Sequence, residues 1–123
     1  MTEILTEPDN RNRLQFLMPS EKNAVLEFSR LIKERFGQMV KEIVLFGSRA
    51  RGEDDKESDI DILIVLASLS WEIKKTISEI AAAENLKYDV FISTIRYDVA
   101  TWNNPVIKSS PFGVEVRRDG IWL

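Results

Sequence analysis

Two aspartates and a glycine–serine pair are the residues of this chain best suited to chemistry. Asp59 and Asp61 stand at the mouth of the apolar run Ile62 to Leu66. Two apart on a strand, they point to one face, roughly 6.5–7 Å apart along the chain. That spacing lets both side chains converge on a pair of divalent ions, which in phosphoryl-transfer sites lie about 3.5–4 Å apart. Two acids in apolar surroundings are costly without a cation. Mg²⁺ suits them, because it prefers oxygen ligands and shares its coordination shell with substrate phosphates. Gly47-Ser48 follows an earlier apolar run, Ile43 to Phe46. Gly47 lets the backbone approach a ligand closely. Ser48 supplies a hydroxyl and, with a helical turn after it, backbone N–H groups for a phosphate. Arg49 and Arg51 can reach β- and γ-phosphates with paired donors. Asp89, inside Tyr88-Asp89-Val90-Phe91-Ile92, is the candidate third acid: sheet pairing could set it beside Asp61, where holding two metals and activating an acceptor hydroxyl requires one. These parts support in-line attack by a hydroxyl on the α-phosphorus of a nucleoside triphosphate, with pyrophosphate leaving and the developing charge stabilised by metals and donors.

Taken singly, each part has an ordinary explanation. Gly-Ser after a strand is usually a turn, Asp-x-Asp is often a strand entrance, and two arginines in a loop are usually solvated. Their joint occurrence, in the order strand, loop, strand, helix, strand, is what carries the inference. Two other motifs are excluded. Residues 55–61 lack the glycine and terminal glutamate of a calcium loop, and no Gly-Lys-Ser/Thr follows Gly47 to make a P-loop. The chain has no His and no Cys. Histidine catalysis, the usual zinc sites, thiol nucleophiles and disulfides are thereby excluded, which leaves carboxylates, Lys, Tyr and hydroxyls for any acid–base or metal chemistry.

The elements around these residues follow from periodicity. Residues 1–18 have no clear period and read as a loose arm, with one helical turn around Leu14–Met18. A helix begins at Pro19-Ser20, with Ser20 as N-cap, carries Val25, Phe28, Leu31, Ile32 and Phe36 at helical spacing, and stops at Gly37. Met39–Phe46 and Asp59–Leu66 are strands, the second apolar on both faces and therefore central in a sheet covered by helices. Glu53, Asp54, Asp55 and Glu57 fall in the solvated loop between them. Ser70 caps a second helix with Ile73, Ile77, Ile80 and Ala81 inward. Lys87–Ser93 is a third strand. Arg96–Ser110 is irregular or short-helical, and 110–118 fits either a strand or a helix opened by Pro111. The apolar helix positions are core.

At 123 residues, 44% apolar and 30% charged, the chain reads as one globular domain, residues 19–123, behind the arm. A net charge of −3 argues against a protein whose main task is gripping nucleic acid. No apolar run nears the roughly 20 residues that cross a bilayer, and the N-terminus is acidic where a secretion signal is basic. The expected location is the cytoplasm.

The constellation resembles the minimal nucleotidyltransferase domains of the DNA polymerase β-like superfamily. Gly47-Ser48, a spacer of ten residues, Asp59 and Asp61, then Asp89 match that pattern. Arg49-Ala50-Arg51-Gly52, Ser58 and the ending Ser110-Pro111-Phe112 to Arg117-Arg118-Asp119-Gly120-Ile121 are also similar. The likeness covers residues from about 20 to 123; the arm is outside it. It implies an α+β fold, a mixed twisted sheet with helices packed against it. It also implies that Gly47 and Ser48 hold ATP or another nucleoside triphosphate, and that Asp59, Asp61 and Asp89 bind two Mg²⁺ ions and activate the acceptor. Small members of the family are often partners of HEPN-type helical proteins, which they adenylylate as antitoxins. A protein acceptor is therefore expected, with a small-molecule or RNA acceptor, or a non-catalytic antitoxin acting by occlusion, as the alternatives.

Overall fold

In a computed structural model, residues 14–53 and 59–123 are described; most of the arm and the loop residues Asp54, Asp55, Glu57 and Ser58 lie outside that description. Four strands form one sheet: β1 (Val40–Phe46), β2 (Ile60–Leu66), β3 (Ile92–Asp98) and the short β4 (Ile121–Trp122), in the order β3-β2-β1-β4. β1 runs antiparallel to β2 and β4, and β3 runs parallel to β2. The sheet is thus mixed, as expected. A parallel neighbour needs a helical crossover, and α3 (Trp71–Tyr88) supplies it.

Alternation along the strands sorts their side chains into two layers. Ile43, Leu45, Ile60, Ile62 and Ile64 pack with Val25, Phe28 and Ile32 of α1 (Pro19–Phe36) and with Ile77 and Ala81 of α3. Val44, Phe46, Leu63 and Val65 pack on the opposite face with Trp102 and Val116. That face is covered by three helices after β3: α4 (Val99–Trp102), α5 (Pro105–Ser109) and α6 (Pro111–Asp119). (The one-turn helix Ser48–Arg51 is α2.) Burial on both faces explains why β2 reads as an apolar run from Ile62 to Leu66.

Several boundaries differ from expectation. Ser20 lies inside α1, not at its cap: Pro19 takes the first helical position, and the Met18 N–H is satisfied by Glu21 Oε1 at 2.8 Å. The arm is not loose throughout, because Leu14 and Leu17 are buried in the core. Ser70 does cap α3, accepting the Ile73 N–H. The tail is helix from Pro111, ending before Gly120, and then strand.

The largest difference concerns the third strand. α3 continues to Tyr88, Asp89 forms its left-handed C-cap with φ 53°, and the Val90 N–H bonds back to the Asn85 carbonyl. The strand begins only at Ile92, whose N–H and carbonyl are both held by the Asn85 side chain, at 2.7 and 3.3 Å. It then runs through Arg96 to Asp98. Good helix formers carry the helix past the expected boundary, and an edge strand bearing Ser93, Thr94 and Arg96 does not read as an apolar run.

Candidate functional site

β1 ends where β2 begins, and Phe46 pairs with Asp61. The Gly-Ser turn and the Asp-x-Asp pair therefore meet at one end of the sheet. Asp61 points to the Phe46 and Leu63 face, flanked by Phe46 on β1 and by Ser93 on β3. Gly47 is fitted to it. Its φ of 79° and ψ of −162° are glycine backbone, and a methyl group there would lie 2.7 Å from Asp61 Oδ2. The carboxylate thus lies closer to the turn than the Cβ of any other residue would allow. The pattern separated in sequence by ten residues is one contact in space.

Burial is the largest influence raising the Asp61 carboxyl above the usual aspartate range, followed by the charge of Asp59 and then that of Glu115. Asp59 is exposed, one residue before β2. An anionic cluster that makes its own ionisation harder is relieved by a cation. The pair fits Mg²⁺, which is held by one or two carboxylates and completed by substrate phosphates. Among the described residues, no three acidic side chains come together as a ready-made metal cage.

Asp89 does not join the pair on the sheet. It sits exposed at the end of α3, and the residue in register with Asp61 on β3 is Ser93. The expected strand position for a third acid is therefore corrected, for the helix-length reason given above.

The arginines also differ from expectation. Arg49 is buried, 6% exposed, and ion-paired with Glu21 of α1, so its guanidinium is turned into the protein. Arg51 is more open. Its Nε and Nη2 donate to Glu53 at 2.8 and 3.3 Å, and its Nη1 meets Glu115 of α6 at 3.1 Å. A phosphate reaching Arg51 competes with two carboxylates. Ser48 opens α2, with the Ala50 and Arg51 N–H groups folded back onto the Gly47 carbonyl.

Sequence reasoning missed Glu21 and Glu115. Glu21 stands three residues after Met18 at capping-box spacing, but methionine in the cap position hides that signature. Glu115 could be placed only once residues 110–118 were known to be helix.

A mixed sheet that seats an Asp-x-Asp pair on a Gly-Ser turn is the architecture of enzymes that move nucleotides. The chain belongs to the nucleotidyltransferase family: the model of the nucleotidyltransferase domain matches residues 25–117. It is 36% identical over 93 residues, 75% of this chain and 94% of the relative, to "Putative protein adenylyltransferase MJ0141" of Methanocaldococcus jannaschii. It is 38% identical over 76 residues, 62% of this chain and 72% of the relative, to a second protein of that organism with the same name and the designation MJ0604. Two solved structures share the fold with a TM-score of 0.51. One is a variant of the toxin–antitoxin MntA-HpeT, 19% identical, covering 80% of this chain and 70% of that one. The other is a toxin–antitoxin with AMP-PNP, 18% identical, covering 85% and 72%. Among the described residues, no helix is long and apolar enough to cross a membrane.

Proposed function

We propose that this protein transfers a nucleoside monophosphate, AMP from ATP, to a hydroxyl of a protein partner, and that it does so as the antitoxin of a helical, HEPN-type toxin in the cytoplasm. The observation that carries the reading is the contact between Gly47 and Asp61, which joins a turn suited to phosphates to a pair of carboxylates suited to metal. The names of the Methanocaldococcus relatives support protein adenylylation, and the AMP-PNP named with one structural neighbour supports a triphosphate substrate.

In this reading Ser48 and the backbone of the Gly47 turn receive the triphosphate. Asp59 and Asp61 hold Mg²⁺, which when bound supplies charge neutralisation at the phosphates. Arg51 reaches the phosphates by exchanging its carboxylate partners for them. Arg49 orders the turn from behind. Asp89, at the same end of the sheet but off the strand, takes part only from the side of the acceptor. Ser93 keeps the space beside Asp61 polar without adding charge.

The position of Asp89 favours a second reading: an antitoxin that occludes its partner without catalysis, since the register position beside Asp61 holds a hydroxyl and not an acid. Soaking with Mg²⁺ and a non-hydrolysable ATP analogue tests the first reading. The triphosphate should lie beside Ser48, with metal at Asp59 and Asp61. Nucleotide bound elsewhere, or not at all, refutes it.

A further inference from the structure

The family match begins at residue 25, yet the segment before it reaches the Gly47–Gly52 turn in two chemically different ways and shares a core cluster with it. Leu14 and Leu17, 1% and 7% exposed, share a core cluster with Ala50 of α2. The Phe16 ring, itself half exposed, lies against Gly52, where an added methyl would fall 2.7 Å from it. Glu21 accepts the Met18 N–H and is ion-paired with Arg49, the two side chains being 14% and 6% exposed. Aromatic and ionic contacts thus arrive at residues 52 and 49, both within four positions of Ser48, and Leu14 and Leu17 lie in the same core cluster as Ala50.

The turn needs such support. α2 is a single helical turn, held within itself by bonds such as those from the Ala50 and Arg51 N–H groups to the Gly47 carbonyl, at 3.1 and 3.2 Å. One turn of helix is not stable alone in water, because nucleation fixes several residues for very few hydrogen bonds. Its shape must come from what packs on it. A shielded ion pair also resists partial loosening, since removing one partner leaves the other charge poorly solvated.

The geometry points to residues 14–21 as a clamp that sets the Gly47-Ser48 turn, with Glu21 as a positioning residue for nucleotide binding that acts through Arg49. This inference rests on the proposal that the turn receives a nucleoside triphosphate.

Two variants of the full chain test it. Glu21→Gln keeps an oxygen for the Met18 N–H but removes the charge facing Arg49. Phe16→Ala removes a half-exposed ring without opening the core. Amide hydrogen exchange should quicken at Ser48–Gly52 in both, by about tenfold, while β1 and β2 stay protected. The dissociation constant for MgATP should rise by about tenfold, equivalent to about 1.4 kcal/mol, with KM raised and kcat nearly constant. Unchanged exchange at Ser48–Gly52 in both variants overturns the clamp, as does exchange that rises equally across the whole sheet. Wild-type binding of MgATP that neither variant weakens overturns the role of Glu21 alone. A wild type that binds no nucleoside triphosphate refutes the nucleotide proposal itself, and the role of Glu21 with it.

Discussion

Replacing Gly47 by alanine should damage stability and ligand binding together, and the structure sets the size of each. The backbone at φ 79°, ψ −162° is a region that side-chain-bearing residues enter at a cost of about 1–3 kcal/mol. The new methyl would also sit 2.7 Å from Asp61 Oδ2. Asp61 is fixed in the strand ladder between Phe46 and Ser93. Relief must therefore come from its side chain, at about 0.5–1.5 kcal/mol for a displaced rotamer. The expected loss is about 2–4 kcal/mol, near 4 °C of melting temperature for each kcal/mol. Gly37→Ala is the control. Gly37 has φ 55° but open space around its Cα, so it bears the backbone strain without any carboxylate to displace. Denaturant titration and MgATP calorimetry on both variants make the comparison. Gly47→Ala should lose about 1 kcal/mol more than Gly37→Ala and weaken MgATP binding by about tenfold or more, while Gly37→Ala binds as wild type does. Equal stability losses, with wild-type nucleotide affinity in Gly47→Ala, would refute the claim that Gly47 is kept bare for Asp61.

Three further outcomes are expected. Glu84 of α3 is buried, its Oε2 has no hydrogen-bond partner among the described residues, and its carboxyl is pushed up to about 7, first by burial and then by its hydrogen bond to Glu27 and that group's charge. Its contribution to stability is complete below the normal glutamate range and is lost as pH rises through 7. Glu27, lowered chiefly by Lys87, works in the opposite sense at more acid pH. Wild type should therefore lose up to about 3 kcal/mol between pH 5 and 8, and Glu84→Gln should flatten that slope in melting curves; parallel curves would contradict it. Asp89→Gly should stabilise by up to about 1 kcal/mol by relieving the left-handed cap, and transfer should slow while Mg²⁺ and nucleotide binding stay as in wild type; weakened Mg²⁺ binding would restore Asp89 to the metal site. Trp102→Ala should cost about 3–5 kcal/mol in denaturant titration, because the ring is 1% exposed, packs on Phe112 and Tyr97, and carries the Arg117 guanidinium 4.3 Å from its centroid.

What could be foreseen from sequence divides along physical lines. β2 announced itself because both its faces are buried, and Ser70 because a cap acts through bonds within three residues. The meeting of Gly47 and Ser48 with Asp59 and Asp61 at one sheet end was legible because β1 and β2 are neighbouring antiparallel strands joined by the segment between those residues. The start of β3 was hidden: where α3 stops depends on Asn85 gripping Ile92 and on register with Ile60, which are tertiary facts. Arg49 and Arg51 look equivalent in sequence. Only the fold shows that one faces Glu21 in the interior and the other faces Glu53 and Glu115 at the surface. Glu115 lies 54 positions after Asp61 (115 − 61) and acts on it through space alone. No local pattern could reveal that.

Nucleotidyl transfer is proposed to depend on Asp59 and Asp61. Its most direct test follows label from ATP to the proposed protein partner, co-expressed with this protein, in Mg²⁺. Wild type should pass label from the α-phosphate and none from the γ-phosphate, and the Asp59→Ala/Asp61→Ala variant, folded and still bound to the partner, should pass neither. Transfer of γ-label, or transfer and neutralisation of the partner undiminished in the double variant, would contradict it.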